Sequence, residues 1–258
     1  MKSQKNCEIL NGFPVFLCKN IDVTIDITIK ECYSFNVTKV ITTNRKTMIK
    51  GASMKTSEIL NILQKDIHSV IIATVDEKDH PITCAIDLML YEDDTLYFLT
   101  ARGKAFYQRL MSHPFVSLTG IKGNDTLSSI AISLQGKVKN IKHKKLQEIF
   151  EKNDYMKKIY PNVQARDVLE VFCFEQFSGE YFDLSQTPIV RIPFSYQQSL
   201  PKGGYQVLEG CIGCHICYEV CPQKCIDITQ IPVKIIQKHC LHCAKCAEIC
   251  LKQVIVKI

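Results

Sequence analysis

Cys211-Ile-Gly-Cys214-His-Ile-Cys217-Tyr-Glu-Val-Cys221-Pro222, answered by Cys240-Leu-His-Cys243-Ala-Lys-Cys246-Ala-Glu-Ile-Cys250, decides how the chain is read. The two lines carry eight thiols at one repeated spacing, Cys-x-x-Cys-x-x-Cys-x-x-x-Cys. A [4Fe–4S] cube has four irons, each taking one thiolate, and eight thiols so spaced are the ligand set of two such clusters. The two-residue gaps let a tight loop of backbone wrap three corners of a cube. The fourth Cys of each line stands one helical turn further on and points away from its neighbours. The halves form an internal repeat, each with an apolar run after its fourth Cys, Cys225-Ile-Asp-Ile and Gln253-Val-Ile-Val. Two other readings explain less. A secreted disulfide framework calls for a signal peptide, which does not precede this chain, and does not double a pattern in this way. A zinc ribbon uses two Cys-x-x-Cys pairs and leaves half of these thiols without a task.

The last fifty residues resemble a bacterial two-cluster ferredoxin domain. In that pattern the fourth Cys ligates the opposite cluster. The resemblance therefore implies Cys211, Cys214, Cys217 and Cys250 on cluster 1, and Cys240, Cys243, Cys246 and Cys221 on cluster 2. Leu251 stands where the family usually has a second Pro, and Cys225 where a small apolar residue is usual; neither change removes a ligand. Cys225 is read as a small buried hydrophobe.

At 258 residues the chain is long enough for a sizeable core and one or two domains. Its longest apolar runs are too short to cross a bilayer, so no membrane association is expected. Fourteen cysteines in this arrangement imply a reducing compartment, hence the cytoplasm. Cys7, Cys18, Cys32, Cys84, Cys173 and Cys225 lie outside the ligand set, share no spacing and are read as structural or incidental. The formal charge is +6 with every Cys neutral. Each cluster with its four thiolates carries about −2, which brings the total to about +2 and weakens the case for a nucleic-acid partner. Lys137 to Lys145 reads as a solvated strand end leading into a helix.

Residues 1–53 read poorly as a domain. Asp22-Val-Thr-Ile-Asp-Ile-Thr-Ile alternates like a strand but has no partner pattern around it. Lys50-Gly51-Ala52 back-translates to a bacterial ribosome-binding sequence at a sensible distance before Met54. Met54 is therefore a candidate start, and residues 1–53 are an N-terminal extension or translated upstream sequence. From Met54 the pattern sharpens. Thr56 to Gln64 shows helical spacing behind a Thr or Ser cap. Strands are expected over Ser69–Val75, Ile82–Leu90, Thr95–Thr100, Phe115–Ile121, Ile130–Ile141, Val168–Phe177 and Glu180–Leu184, with turns at Asp76–Pro81 and Glu92–Asp94. Helices are expected over Lys104–Ser112 and Lys144–Asn153. Short strands at regular spacing with few helices argue for an antiparallel barrel in a β-rich α+β chain. Residues 195–206, polar with Pro and paired Gly, read as a linker between a domain over 54–194 and the cysteine-rich domain over 207–258.

Three stretches carry a second resemblance: Ile71-Ile-Ala-Thr-Val-Asp-Glu-Lys-Asp-His-Pro-Ile-Thr, Leu96-Tyr-Phe-Leu-Thr-Ala-Arg-Gly-Lys104 and His113-Pro-Phe-Val-Ser-Leu-Thr-Gly120. Over about residues 54–190 the chain resembles the pyridoxamine-phosphate-oxidase-like split-barrel flavoproteins. The resemblance implies a split β-barrel followed by a small α+β ferredoxin-like domain, with FMN held at the interface of a homodimer formed through the barrel. A deazaflavin is an alternative cofactor, since some split-barrel relatives bind one. Carried over by position, the flavin contacts are Thr83, Cys84 and Ala85 on one strand, with Thr100, Ala101 and Lys104. Chemically this suits a phosphate, which wants an ammonium, a hydroxyl and the backbone N–H groups at a helix start. Many members carry an Arg near Cys84; here Arg102 and Arg109 are the substitutes at hand. Gly179-Glu-Tyr181-Phe-Asp183 reads as close to the flavin or as a strand end packed on the core, and His80 and His113 read as turn residues.

Together these readings describe an iron–sulfur flavoprotein that passes electrons between two [4Fe–4S] clusters and bound FMN and reduces a small organic acceptor in an anaerobe. The alternative is a non-enzymatic, ferredoxin-type carrier whose barrel binds flavin or a redox partner protein. No nucleophile elbow, P-loop or dinucleotide fingerprint points to other chemistry.

Overall fold

The computed structural model describes Ile9–Leu10, Phe13–Pro14 and residues 54–258. The first two pairs form short antiparallel strands β1 (Ile9–Leu10) and β2 (Phe13–Pro14). The strand expected over Asp22–Ile29 and the reading of residues 1–53 as an extension lie outside the described residues.

Helix α1 (Thr56–Asn61) continues into a π-helical stretch, Ile62–Ile67, and buries Ile59, Leu60 and Leu63. The expected Thr or Ser cap is not used. The helix starts one residue earlier, at an extended Lys55 whose backbone N–H donates to Glu58 Oε2 at 2.7 Å. The Glu58 carboxylate satisfies the N–H of the cap residue itself and places a negative charge in the first turn.

The strands that follow are β3 (Ser69–Val75), β4 (Pro81–Asp87), β5 (Leu90–Glu92), β6 (Thr95–Ala101), β7 (Phe115–Lys122), β8 (Ile130–Lys142), β9 (Leu169–Asp183) and β10 (Val190–Tyr196). They form one antiparallel sheet in the order β4-β3-β7-β8-β9-β6-β5, with β10 also pairing β9. The long strand β9 explains the split. Its first part lies between β8 and β6 and its last part between β8 and β10, so the sheet forks there. The sheet curls until β4 comes up to β6. Helix α2 (Ala105–Ser112) follows β6, while α3 (Leu146–Lys152) and α4 (Tyr155–Ile159) lie between β8 and β9.

Two sequence expectations differ from the structure here. The break expected near Ser178 does not occur, because β9 stays paired with β8 through Gly179. A Cβ at Gly179 would stand 2.3 Å from the Ser133 carbonyl and 2.6 Å from the Phe194 ring, so this glycine permits a close approach rather than a turn. Strand β10 is not among the expected strands, and it contains Pro193. It pairs β9 along one edge only, where a missing N–H is tolerated.

Inward residues alternate along the strands, with Val70 and Ile72 on β3, Leu96 and Phe98 on β6, Ile132 and Leu134 on β8 and Phe172 and Phe174 on β9 all buried. Phe98 stacks on Phe172 at 5.6 Å and Phe174 meets Phe177 edge to face at 6.2 Å.

The C-terminal residues fold into two small ribbons and two one-turn helices. Strand β11 (Tyr205–Val207) pairs β14 (Ile255–Lys257), and β12 (Ile226–Asp227) pairs β13 (Lys234–Ile235). Helix α5 (Ile216–Glu219) and helix α6 (Lys245–Glu248) touch each other. The repeat seen in the cysteines is present in the backbone. Positive φ recurs at Gly213 and His242, at His215 and Ala244, and at Lys224 and Gln253, each pair at the offset that separates Cys211 from Cys240. Strands β10 and β11 reach into the stretch read as a linker from both sides. The barrel and the C-terminal segment fall in one compact unit, Gly51–Ile258.

Candidate functional site

The C-terminal core consists of Cys217, Cys225, Ile226, Val233, Ile235, Cys240, Cys246 and Ile255, so half of its buried residues are cysteines. All the described cysteines are free of disulfides. A segment this small gains little from apolar burial and ordinarily needs a staple.

Two cavities open in this core. One is lined by Cys211, Cys214, Cys217 and Cys250, the other by Cys221, Cys240, Cys243 and Cys246 together with Cys225. Each cavity thus takes three thiols from one repeat and the fourth from the other. The remaining lining is largely apolar, with Val207, Ile212, Val233 and Ile255 in the first and Pro222, Ile226 and Ile235 in the second. Among the described residues no three His, Cys, Asp or Glu side chains close on one point as a single ion requires. A four-iron cube makes a different demand, one thiolate per corner around a volume; the first cavity offers four thiols, and the second offers the four of the repeat pattern plus Cys225. The cavities differ in cover: Cys214 and Cys243 are exposed, Cys217, Cys240 and Cys246 buried. Cys225 is buried with its Sγ 3.6 Å from that of Cys221; its thiol is pushed up and that of Cys240 drawn down by a hydrogen bond between the two.

In the barrel, the six flavin candidates divide by strand alternation. Cys84, opposite Ile72, is half-buried and packs on the interior cluster. Thr100, on the same strand face as Phe98, is 4% exposed and its Oγ1 has no hydrogen-bond partner. Lys104 caps the start of α2 and is exposed. These three gather where β4 approaches β6. Thr83 and Ala85 alternate to the exposed outer face of β4, and Ala101 packs on a second cluster around Ile149 and Phe150.

The two substitute arginines also separate. Arg102 is taken up by carboxylates, with Asp167 at 2.9 Å and Glu170 at 3.5 Å. Arg109 instead donates from Nε to Thr74 Oγ1 at 2.7 Å, and its guanidinium lies 5.9 Å from the Phe106 ring. Burial pushes the Cys84 thiol up, while the charges of Arg109 and Lys104 pull against it. Among the described residues neither cation has a carboxylate partner. Two unpaired cations, a helix start and a buried hydroxyl without a partner fit an anion such as a phosphate.

Other candidates are accounted for structurally. Tyr181 is buried in the core and donates to Asp183 at 3.2 Å, so the Gly179–Asp183 stretch is a packed strand end. His80 sits in its turn beside Asp76 at 3.4 Å. Sequence reasoning missed the buried carboxylate of Glu170, which accepts from Asn140 at 2.6 Å and Tyr107 at 2.7 Å, and missed the contacts that join the cysteine-rich segment to β10. Both are pairings between distant parts of the chain, and neither leaves a local signal. Among the described residues no helix is long and apolar enough to cross a membrane.

Residues 56–177 match the family model of pyridoxamine 5'-phosphate oxidase. This segment is similar to the split barrels of that family. No curated protein matches the chain. Among solved structures, it is similar to a NimC/NimA family protein from Clostridium acetobutylicum, 19% identical over 55% of this chain and 92% of that one, with a TM-score of 0.46. It is also similar to a pyridoxamine 5'-phosphate oxidase-related, FMN-binding protein from Nostoc punctiforme, 15% identical over 56% of this chain and 90% of that one, with a TM-score of 0.43. A third is a Clostridium acetobutylicum protein related to general stress protein 26, 17% identical over 54% of this chain and 92% of that one, with a TM-score of 0.42.

Proposed function

We propose that this chain is an iron–sulfur flavoprotein whose C-terminal segment holds two [4Fe–4S] clusters and whose barrel holds FMN, and that it delivers electrons to a small organic acceptor. The observation that supports the reading is the pair of cavities, each taking three of the proposed ligands from one cysteine repeat and the fourth from the other, with Cys225 as a fifth thiol in the second. When bound, the clusters supply one-electron steps, and FMN couples single electrons to the transfer of a pair.

The residues divide the work. Cys211, Cys214, Cys217 and Cys250 hold one cluster and Cys221, Cys240, Cys243 and Cys246 the other. Apolar neighbours such as Ile226, Val233 and Ile255 keep water from the buried thiols. Lys104 and Arg109 hold the flavin phosphate, Thr100 gives it a hydroxyl, and the start of α2 turns backbone N–H groups towards it. The barrel pairs with a second copy through its outer face, where Ile71, Phe115 and Ile121 are each more than half exposed; sedimentation should find a dimer, and a monomer would contradict that part.

Anaerobic purification followed by iron, sulfide and released-flavin assays tests the whole reading. About eight irons and eight sulfides per chain are expected, with one FMN. Clusters without flavin would leave a ferredoxin-type carrier, and flavin without iron would remove the electron-transfer reading.

A further inference from the structure

The two thiol cavities stand differently towards the barrel. Among the described residues, the side-chain ties between barrel and cysteine-rich segment converge on one of them. His239 donates from Nδ1 to the Ile189 carbonyl at 2.7 Å, and Gln223 Oε1 accepts from the Ile189 N–H at 3.0 Å. Arg191 on β10 donates from Nη1 to the Cys240 carbonyl at 3.4 Å. Gln223 and Cys240 line the cavity of Cys221, Cys240, Cys243 and Cys246, and His239 directly precedes Cys240 in the chain. That cavity faces the barrel, and the other is distal.

Arg191 is held firmly for a side chain at a domain contact. It is 19% exposed, lies 5.1 Å over the Phe182 ring, and gives Glu180 two hydrogen bonds, from Nε at 2.9 Å and from Nη2 at 2.6 Å. One edge of the guanidinium therefore binds the carboxylate while Nη1 faces the Cys240 loop. The cation stands between Glu180 and the thiol cavity, so the field reaching Cys240 is net positive.

We propose that the Arg191–Glu180 pair tunes the reduction potential of the cluster bound by Cys221, Cys240, Cys243 and Cys246, the cation raising it and the carboxylate lowering it. The proposal rests on the cluster reading above. Reduction adds one electron to a site that is already anionic, and no bond is made or broken. A cation beside the site favours the reduced form, and a carboxylate behind it opposes that effect.

The two partners therefore act with opposite sign, which a merely structural role does not reproduce. The test is an electrode-driven titration of the full chain under anaerobic conditions, followed by paramagnetic resonance, with Cys243→Ser identifying the wave of the barrel-side cluster. Arg191→Gln removes the cation and leaves Glu180 anionic, and should disfavour reduction of that cluster by about tenfold, a potential about 59 mV more negative. Glu180→Gln leaves the cation unopposed and should move the same wave the other way. Arg191→Lys keeps the charge and should hold it near its original position. In all three the distal wave stays in place. Equal displacement of both waves, no displacement, or movement of the Gln variants in one direction would overturn the proposal while leaving the clusters intact. A chain without iron and sulfide would overturn the cluster reading, and this proposal with it.

Discussion

Arg102 and Arg109 flank Lys104 and carry the same charge, yet their surroundings give them different work. Arg102 is spent on Asp167 and Glu170, whereas Arg109 rests on a neutral hydroxyl. A charged group hydrogen-bonded to a ligand contributes about 1.5–3 kcal/mol, so Arg109→Gln should weaken FMN binding by roughly tenfold to a hundredfold. Arg102→Gln should leave it nearly unchanged. Fluorescence titration of flavin-free protein separates the two, and equal losses would contradict the assignment. Glu170 makes a second prediction at this scale. Burial alone would raise its carboxyl, but hydrogen bonds from Asn140, Tyr107 and Arg102 outweigh burial and hold it below the usual range. A carboxylate whose folded value is depressed stabilises the fold above its unfolded value, about 4.3, and that stability is lost as pH falls through the folded value. Wild type should thus lose melting temperature as pH falls from about 5, and Glu170→Gln should show a flatter acid limb from a lower starting point. The place of Lys104 at the start of α2 was legible in the sequence because the helix expected over Lys104–Ser112 is a local pattern. The different surroundings of the two arginines were not, because Asp167, in a 3-10 turn, and Glu170, on β9, reach Arg102 from far along the chain.

At the scale of elements, strands with strict alternation were readable nearly to the residue, as β3 and β7 show. Those whose sequence is shaped by tertiary contact were not. Pro193 hides β10, and Gly179 mimics a break in β9 where it serves close packing against Ser133 and Phe194. Gly179→Ala should cost about 1–3 kcal/mol or more in a denaturant melt, since the carbonyl cannot move aside cheaply; an unchanged midpoint would refute that account. The doubled cysteine pattern was legible because spacing is a local property of the chain, and it recurs in the backbone as paired positive-φ positions. The core of that segment is half thiol, and on the proposed cluster reading its order depends on what the thiols hold. Removal of metal with a chelator should expose the amides of β11 and β14 to hydrogen exchange while the barrel amides stay protected. Cys246→Ala should lose about half the iron, and Cys225→Ala, which keeps every proposed ligand, should lose none. Iron loss in Cys225→Ala would mean that the ligand sets are wrong.

For the whole molecule, the proposed electron transfer makes the contact between β10 and the loop carrying His239 and Cys240 matter more than either half alone, because such transfer depends on proximity. The sequence showed that the linker is short; which cavity faces the barrel follows from Arg191, Ile189 and Gln223, and no spacing rule contains that information. The central claim is that electrons entering the cysteine-rich segment reach a flavin in the barrel. The measurement that tests it most directly is the rate of flavin reduction, followed by the flavin's own absorbance, after anaerobic mixing with a one-electron donor. It is made on the full chain and on Cys246→Ala, both loaded with FMN. The account predicts rapid flavin reduction in the first and a rate at least tenfold lower in the second, the tenfold standing for a barrier about 1.36 kcal/mol higher. Equal rates in the two proteins would contradict it.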